Sequence, residues 1–553
     1  MGPFPGAEHR RCRPAAPGRQ ALERADWESA RSAFTAVLED GDSPDARDGL
    51  AQALWFLGHV REALDLRERV FEDYVRAGRC DDAARVAVWV SHQHMVGGRA
   101  SAARGWLARS ERALQGVPAC AGHGWVAVEQ VRQSIRVDDQ IAHATRALDV
   151  GRTTGQSDLE VLSVSLLGRA RVNAGHREEG LHLLEEAMAA ATAGRVRDVH
   201  TLAEAYCNLV LACRSAGEWE LASEWCELVD AFARAHSAAP LLGACRTVHA
   251  DVLIAGGHWA EAERALQAAL ATHARNIPAM GAPTVGSLAE LRVQQGRLPE
   301  AEELLAGREE HPAVLRALAL LRMADGRARA AVTLLERGLA GAEDNAVAAA
   351  HFLAPLVDAR LALGDVPGAR AAAGELGRLA EASGIRLLAA RADLAAAAVA
   401  LRVGEAAQAV EPARRALAAF SALLMPLDAG TARLALARAI AADAPDTASD
   451  EARAALTAFR GLGASRAMDA AAALLRGLGT GQGGRARAVG ELTAREEEVL
   501  GLLSLSMSNA GIARSLLISE RTAGHHVSRI LTKLGVRNRA EAAAYAARAR
   551  TAG

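Results

Sequence analysis

One spacing runs through most of this chain and constrains its fold more than any other feature: a small residue followed five positions later by alanine. It reads Ala25/Ala30, Gly58/Ala63, Gly98/Ala103, Gly217/Ala222, Gly257/Ala262, Gly296/Ala301, Gly326/Ala331, Gly364/Ala369 and Gly404/Ala409, with Gly175/Gly180 as a variant copy. Successive glycines lie mostly 38 to 42 residues apart, and the gap from Gly98 to Gly175 is close to two periods, with a degenerate copy near Ile141. Such a period marks a stack of supersecondary units. The unit is a helical hairpin: glycine ends one helix in the left-handed region, a few polar residues turn the chain, and a small residue lets the second helix approach closely. Pro299 and Pro367 fall just after such turns, where a missing N–H costs nothing. Ala262, Ala265, Leu266, Ala269 and Leu270 show the helical spacing of the flanking segments. One hairpin cannot bury its own apolar stripe, so residues 21–477 are expected to form an α-solenoid in an all-α chain.

Composition agrees, since half of the 553 residues are hydrophobic but only 3% aromatic, which favours helices packed through Ala, Leu and Val. The region resembles tetratricopeptide repeats, in the longer-period variety of the ligand-sensing segment of MalT-like regulators; its period exceeds the roughly 34 residues of the common form. All eight tryptophans lie between Trp27 and Trp259. Trp27, Trp219 and Trp259 each stand two positions after the small turn residue, which assigns them to packing. Trp55, Trp89, Trp106, Trp125 and Trp225 are either core or the surface on which an effector binds, and they make the amino-terminal half the better candidate for such a surface. Residues 260–477 carry only Phe352, Phe420 and Phe459 as aromatics.

Lys533 is the single lysine; every other basic residue is arginine. A P-loop ATPase, whose lysine reaches the β/γ-phosphates, is thereby excluded, as is a receiver domain of the two-component type. No nucleophile elbow, H-E-x-x-H or strand-linked G-x-G-x-x-G is present, so an enzyme is not expected, nor a cofactor. Residues 1–20 read as a disordered Pro/Gly/Arg leader without the apolar core of a signal peptide. Charged residues interrupt every long apolar run, so no membrane span is expected. The seven cysteines include no C-x-x-C pair and read as reduced, small hydrophobes of a cytoplasmic protein. The spacing of Cys207, Cys213 and Cys226 fits no zinc pattern, and no metal site is expected.

After Leu478 a Gly/Arg stretch, residues 478–490, reads as a flexible linker. Residues 491–553 then carry 9 basic against 6 acidic residues, a net +3, whereas the rest of the chain has 55 against 60, a net −5. Thr493 and Glu496 form a capping box opening a helix with Val499, Leu500, Leu502 and Leu503 inward. Ser508 caps a short second helix with Ile512, Ala513 and Leu516 buried. Ser519 caps a third, in which Ala523, Val527, Ile530, Leu531 and Leu534 face the core, and Asn538 to Glu541 opens a fourth. Two short helices joined by a tight turn, the second polar on its outer face, form the helix-turn-helix arrangement that places a recognition helix in the major groove. Arg495, Arg514, Arg521, Arg529, Lys533, Arg537 and Arg539 bracket that face and would neutralise phosphates.

The string from "LTAREEEVL" through "SNAGIARSLLIS" to "HVSRILTKLGVRNRAEA" closely resembles the LuxR-type four-helix DNA-binding domain. The resemblance implies that the third helix reads bases and that the domain dimerises through the fourth helix on a pseudo-palindromic operator in double-stranded DNA. Carried over by position, the base-facing residues are Gly524, His525 and Ser528. Phosphate contacts fall to Thr493, Arg495, Asn509, Arg521, Thr522, His526, Lys533 and Arg537. Two departures stand out. Gly511 occupies the place of a glutamate that would complete a capping box with Ser508. Gly524 replaces the long basic side chain of many members, and a mid-helix glycine costs about 1 kcal/mol relative to alanine. The expected function is a transcription regulator whose solenoid senses a ligand or partner; the competing one is an interaction adaptor that uses the helix-turn-helix as a DNA anchor.

Overall fold

The structure is a computed structural model that describes residues 16–235, 239–276, 278–342, 345–481, 494–504, 507–516, 520–534, 536, 539, 541–543 and 546. Among the described residues there is no strand. The chain divides into two compact units, residues 1–472 and 473–553.

The first unit is a run of antiparallel helical hairpins, and the recurrent spacing is what shapes each turn. Gly58, Gly98, Gly175, Gly217, Gly257, Gly296, Gly326, Gly364 and Gly404 all have φ between 74° and 96°, and Ala25 takes their place at φ 56°. At each, the next residue's amide donates to the carbonyl five residues back at 2.8–2.9 Å, as His59 N–H does to Leu54 and Glu405 N–H to Ala400. This is the Schellman closure of a helix, and it needs a left-handed residue at that one position. The alanine five positions on is the tightest point of the following helix: Ala30, Ala63, Ala103, Ala222, Ala262, Ala301, Ala331, Ala369 and Ala409 are all fully buried. Pro299 and Pro367 sit in the first turns of Leu298–Leu305 and Val366–Ser383. The degenerate copy near Ile141 lies in the helix Val137–Thr154, entered by an extended Ser134 and Arg136 without glycine.

The variant copy shows why alanine is the upper limit. Helices Ser157–Asn173 and Arg177–Thr192 meet at Gly168 and Gly180, where a Cβ on Gly180 would stand 2.6 Å from the Gly168 carbonyl oxygen and 2.8 Å from the Val172 amide nitrogen. Backbone touches backbone there. The two helices also divide the labour of the repeat. Ser157–Asn173 is buried on almost every side, from Leu159 to Val172, whereas Arg177–Thr192 buries only a stripe of Gly180, Leu181, Leu184, Ala187, Met188 and Ala191 and offers charge to solvent. Trp27 and Trp259 are buried and Trp219 partly so. Trp27 stacks on Phe56 at 3.9 Å, and Trp259 donates its indole N–H to the Ile254 carbonyl at 3.1 Å, which matches the packing role read from their position. In the Ala-rich second half Phe420 and Phe459 are completely buried.

The solenoid coils tightly enough that hairpins far apart in sequence touch. Gln52 donates to Asp198 at 3.2 Å across 146 residues, and the Ser465 hydroxyl donates to the Gln295 carbonyl at 2.7 Å across 170. The turn glycines are the contact points: a Cβ on Gly217 would meet Leu387 at 2.9 Å, and one on Gly257 would meet Leu462 and Pro426 at 2.7 and 2.8 Å. Helix Ala16–Glu23 packs on Trp27–Asp40, so helical structure begins inside the segment expected to be a leader; residues 1–15 lie outside the described residues. At the other end Ser465–Gly481 runs helically into the expected linker, of which residues 482–490 lie outside the description. One described helix, Ala346–Leu363, is long and apolar enough to cross a membrane; it carries Asp358 and Arg360 and has Leu353, Leu356 and Val357 buried against its neighbours.

The second unit has helices Ala494–Ser504, Asn509–Leu516 and Glu520–Leu534, followed by helical residues at 539, 541–543 and 546. Val499, Leu500, Leu503, Ile512, Ala513, Ala523, Val527 and Ile530 form its core with Ala542 and Ala546, and Leu502, Leu516, Leu531 and Leu534 pack at its margin. These are the positions that the helical spacing assigned inward.

Candidate nucleic-acid interface and repeat cavity

The corner between the first two helices of the second unit is built from side chain and backbone together. The Ser508 hydroxyl accepts the Gly511 amide at 3.2 Å while its carbonyl takes the Ile512 amide at 2.9 Å, so Ser508 caps the second helix as its sequence position requires. Gly511 is buried against Met507, and a Cβ there would lie 3.3 Å from the Met507 methyl. The cap therefore works without a glutamate, closed by serine and by packing on methionine. Arg539 donates to the Met507 carbonyl and so ties the fourth helical segment to this corner. Part of its guanidinium thus holds the turn while the side chain stays exposed.

On the third helix the buried stripe Ala523, Val527 and Ile530 fixes the register. Ser528 is exposed opposite it, and Gly524 is half-buried on its flank. Among the described atoms, the only group within 4 Å of a Cβ placed at Gly524 is Asn509 Nδ2, at 3.6 Å, an ordinary contact distance. Among the described atoms no packing thus demands glycine at 524. Asn509, at the start of the second helix, aims its amide at this point, and its buried Oδ1 has no hydrogen-bond partner. Gly524 and Asn509 are thereby brought together, Ser528 lies one turn further along the third helix, and His526 is half-buried on the same helix. Arg495, Arg521, Thr522, His525 and Lys533 lie on described helices, but their side chains are outside the described residues, as are Thr493 and Arg537 altogether.

The tryptophans separate into two groups. Trp55, Trp89 and Trp125 line one cavity of about 550 Å³ within the first unit, together with His92, Arg132, His200 and Glu204. Trp55 is buried, donates its indole N–H to Gln93 at 2.9 Å, and meets Trp89 and His200 edge-on at 6.5 and 5.2 Å. The Arg67 guanidinium covers the Trp89 ring at 4.2 Å and is held there by Asp48 at 2.8 Å. Trp106 and Trp225 are elsewhere: Trp106 packs on Phe71 under Arg109, and Trp225 packs beside Tyr206 on an outer helix. The charged floor was not legible as a site in sequence, because its members come from helices up to 112 residues apart. Arg132 bridges Glu129, at 3.1 Å, and Glu204. Burial works to raise the Glu204 carboxyl, but Arg132 and then His92 outweigh it and bring it down to about 2. Burial first, and Arg132 second, push the His92 imidazole down to about 3, and burial lowers His200 as well. His92 Nδ1 has no hydrogen-bond partner and stands 3.7 Å from Glu129. Among the described residues no group of three His, Cys, Asp or Glu side chains is arranged to hold a metal ion.

Comparison with known proteins bears on the second unit. Residues 490–546 match the family described as bacterial regulatory proteins, luxR family. The spore germination protein GerE of Bacillus subtilis is 45% identical over 51 residues, which are 9% of this chain and 69% of GerE. The transcriptional regulatory protein LnrK of Bacillus subtilis is 48% identical over 58 residues, 10% of this chain and 26% of LnrK. The DNA-binding transcriptional activator DevR/DosR of Mycobacterium tuberculosis is 38% identical over 92 residues, 16% and 42% of the two chains. The chain therefore spans less than half the length of these last two relatives. Among solved structures, a Rap protein complexed with competence and sporulation factor aligns over 66% of this chain and 98% of its own, at 10% identity and a TM-score of 0.45. Yeast Tom70 aligns over 78% and 96%, at 12% identity and a TM-score of 0.34.

Proposed function

Because the chain belongs to the luxR family of bacterial regulatory proteins, we propose that it is a transcription regulator, not an enzyme, which binds specific duplex DNA through the helix Glu520–Leu534. The observation that carries this reading is the capped corner at Ser508 followed by a third helix whose core stripe leaves Ser528 on the exposed side and Gly524 on its flank. On this reading His525 and Ser528 contact base edges beside the glycine, and Asn509, Arg521, Thr522, His526, Lys533, Arg537, Thr493 and Arg495 contact phosphates. A second copy binds the other half-site of a pseudo-palindrome, and the protein acts in the cytoplasm. The cavity lined by Trp55, Trp89 and Trp125 receives the effector, and the solenoid passes its state to the DNA-binding unit by favouring one arrangement over another.

Binding of the intact chain to its own genomic sites, measured across a salt series, tests this. Arg521→Ala is expected to weaken binding to all sequences alike and to reduce the salt slope by about 1, whereas Ser528→Ala is expected to change the preferred sequence. An unchanged salt slope in the first variant contradicts the phosphate assignment.

A further inference from the structure

Cysteines 207 and 245 lie one repeat apart in sequence and on neighbouring inner helices, Val199–Ala216 and Ala239–Ala255. Their sulfurs are 3.0 Å apart, and both residues are partly exposed. No third ligand accompanies them: among the described residues no His, Cys, Asp or Glu group completes a metal site. A disulfide requires an S–S separation of about 2.0 Å, so the two sulfurs need to close by only about 1 Å. Among the other described cysteines, Cys80 and Cys120 are also partly exposed, Cys213 and Cys226 are buried, and burial pushes the Cys213 thiol up to about 12 and raises Cys120 too.

Cys207 is one turn beyond Glu204 on the same helix, so the pair adjoins the floor of the tryptophan-lined cavity.

We propose that Cys207 and Cys245 form a reversible oxidation site that a hydroperoxide converts to a disulfide. The Cys207 thiolate attacks the terminal peroxide oxygen, the S–O bond forms and the O–O bond breaks, and the departing alkoxide or hydroxide takes up a proton. Cys245 then attacks the sulfenic sulfur; the S–S bond forms, the S–O bond breaks, and the oxygen leaves as water with the proton of Cys245. The two thiols lose two electrons, and the hydroperoxide is reduced to an alcohol or water plus one further water. The new bond joins the helix bearing His200 and Glu204 to the next inner helix, across the outer helix Trp219–Ala235.

The full chain treated with hydrogen peroxide tests this. The expected result is a mass loss of about 2 Da, a cross-linked peptide pair containing residues 207 and 245, a higher melting temperature, and reversal of all three by dithiothreitol. In Cys245→Ser the sulfenic acid is expected on Cys207, trapped by dimedone. Peroxide treatment that leaves both residues open to alkylation, or that joins either to a different cysteine, overturns the proposal. The wild-type cross-link and its reversal are read without any variant, so a variant that fails to fold does not decide the outcome.

Discussion

Gly180 and Gly524 are both glycines inside helices, yet the structure gives them opposite meanings. At Gly180 the neighbouring helix is so near that any side chain meets backbone, and backbone cannot step aside. Gly180→Ala is therefore expected to destabilise the solenoid by about 1–3 kcal/mol despite its better helix propensity. At Gly524 the only described atom that a methyl group finds at contact distance is Asn509 Nδ2, so propensity prevails and Gly524→Ala is expected to stabilise the second unit by about 1 kcal/mol. Thermal melts of the two variants check these opposite signs. If Gly524→Ala raises stability while lowering affinity for genomic sites, glycine at 524 serves the DNA surface; unchanged affinity removes that role. Both glycines were visible in the sequence, but only Gly180 announced its reason, because it replaces alanine in a recurrent pattern. The orphaned Asn509 Oδ1 and the tie from Arg539 to Met507 had no such signal: each depends on which atoms of a distant turn come within reach.

At the level of helices and hairpins, sequence and structure agree wherever the determinant is local. Helix ends at left-handed glycines, the serine cap at 508 and the core stripe of the third helix all follow from spacings of three to eleven residues. Removing the hydroxyl in Ser508→Ala is expected to cost about 1 kcal/mol in melts of the second unit, since the Gly511 amide loses its acceptor. The helices around the cavity make a different statement, about pH. His92 and His200 have pKa values below their ordinary 6.5 in the folded chain, so the unfolded chain takes up their protons first as pH falls. Their contribution is full above about pH 6.5 and is lost on the way down toward 3. Glu204, low in the folded chain, adds a loss between about 4.5 and 2, while Glu129, raised by burial, works in the opposite sense. The melting temperature is expected to fall between about pH 7 and 5, and a flat profile there contradicts neutral, buried imidazoles. This cluster escaped sequence reading because His92, the Glu129–Arg132 pair and Glu204 come from three different helices and no motif joins them.

For the molecule as a whole, the repeat period foretold a stack of hairpins but not how tightly the stack coils. Contacts such as Gln52 with Asp198 and Ser465 with Gln295 join residues 146 and 170 positions apart, and no local periodicity encodes them. The same coiling gathers Trp55, Trp89 and Trp125 while leaving Trp106 and Trp225 apart, which composition alone could not sort. The arginine-rich, lysine-poor composition that excluded a P-loop proves to be compatible with a chain joining a ligand-sized cavity in one unit to a luxR-family helix-turn-helix in the other. The central claim is that the intact chain recognises specific duplex DNA through its third C-terminal helix. Genome-wide mapping of the sites bound by the intact protein and by its Ser528→Ala and His525→Ala variants tests it most directly. A shared pseudo-palindromic motif in the wild-type sites, altered or lost in the variants, is expected. Binding without any enriched motif, or the same motif in all three proteins, would contradict it.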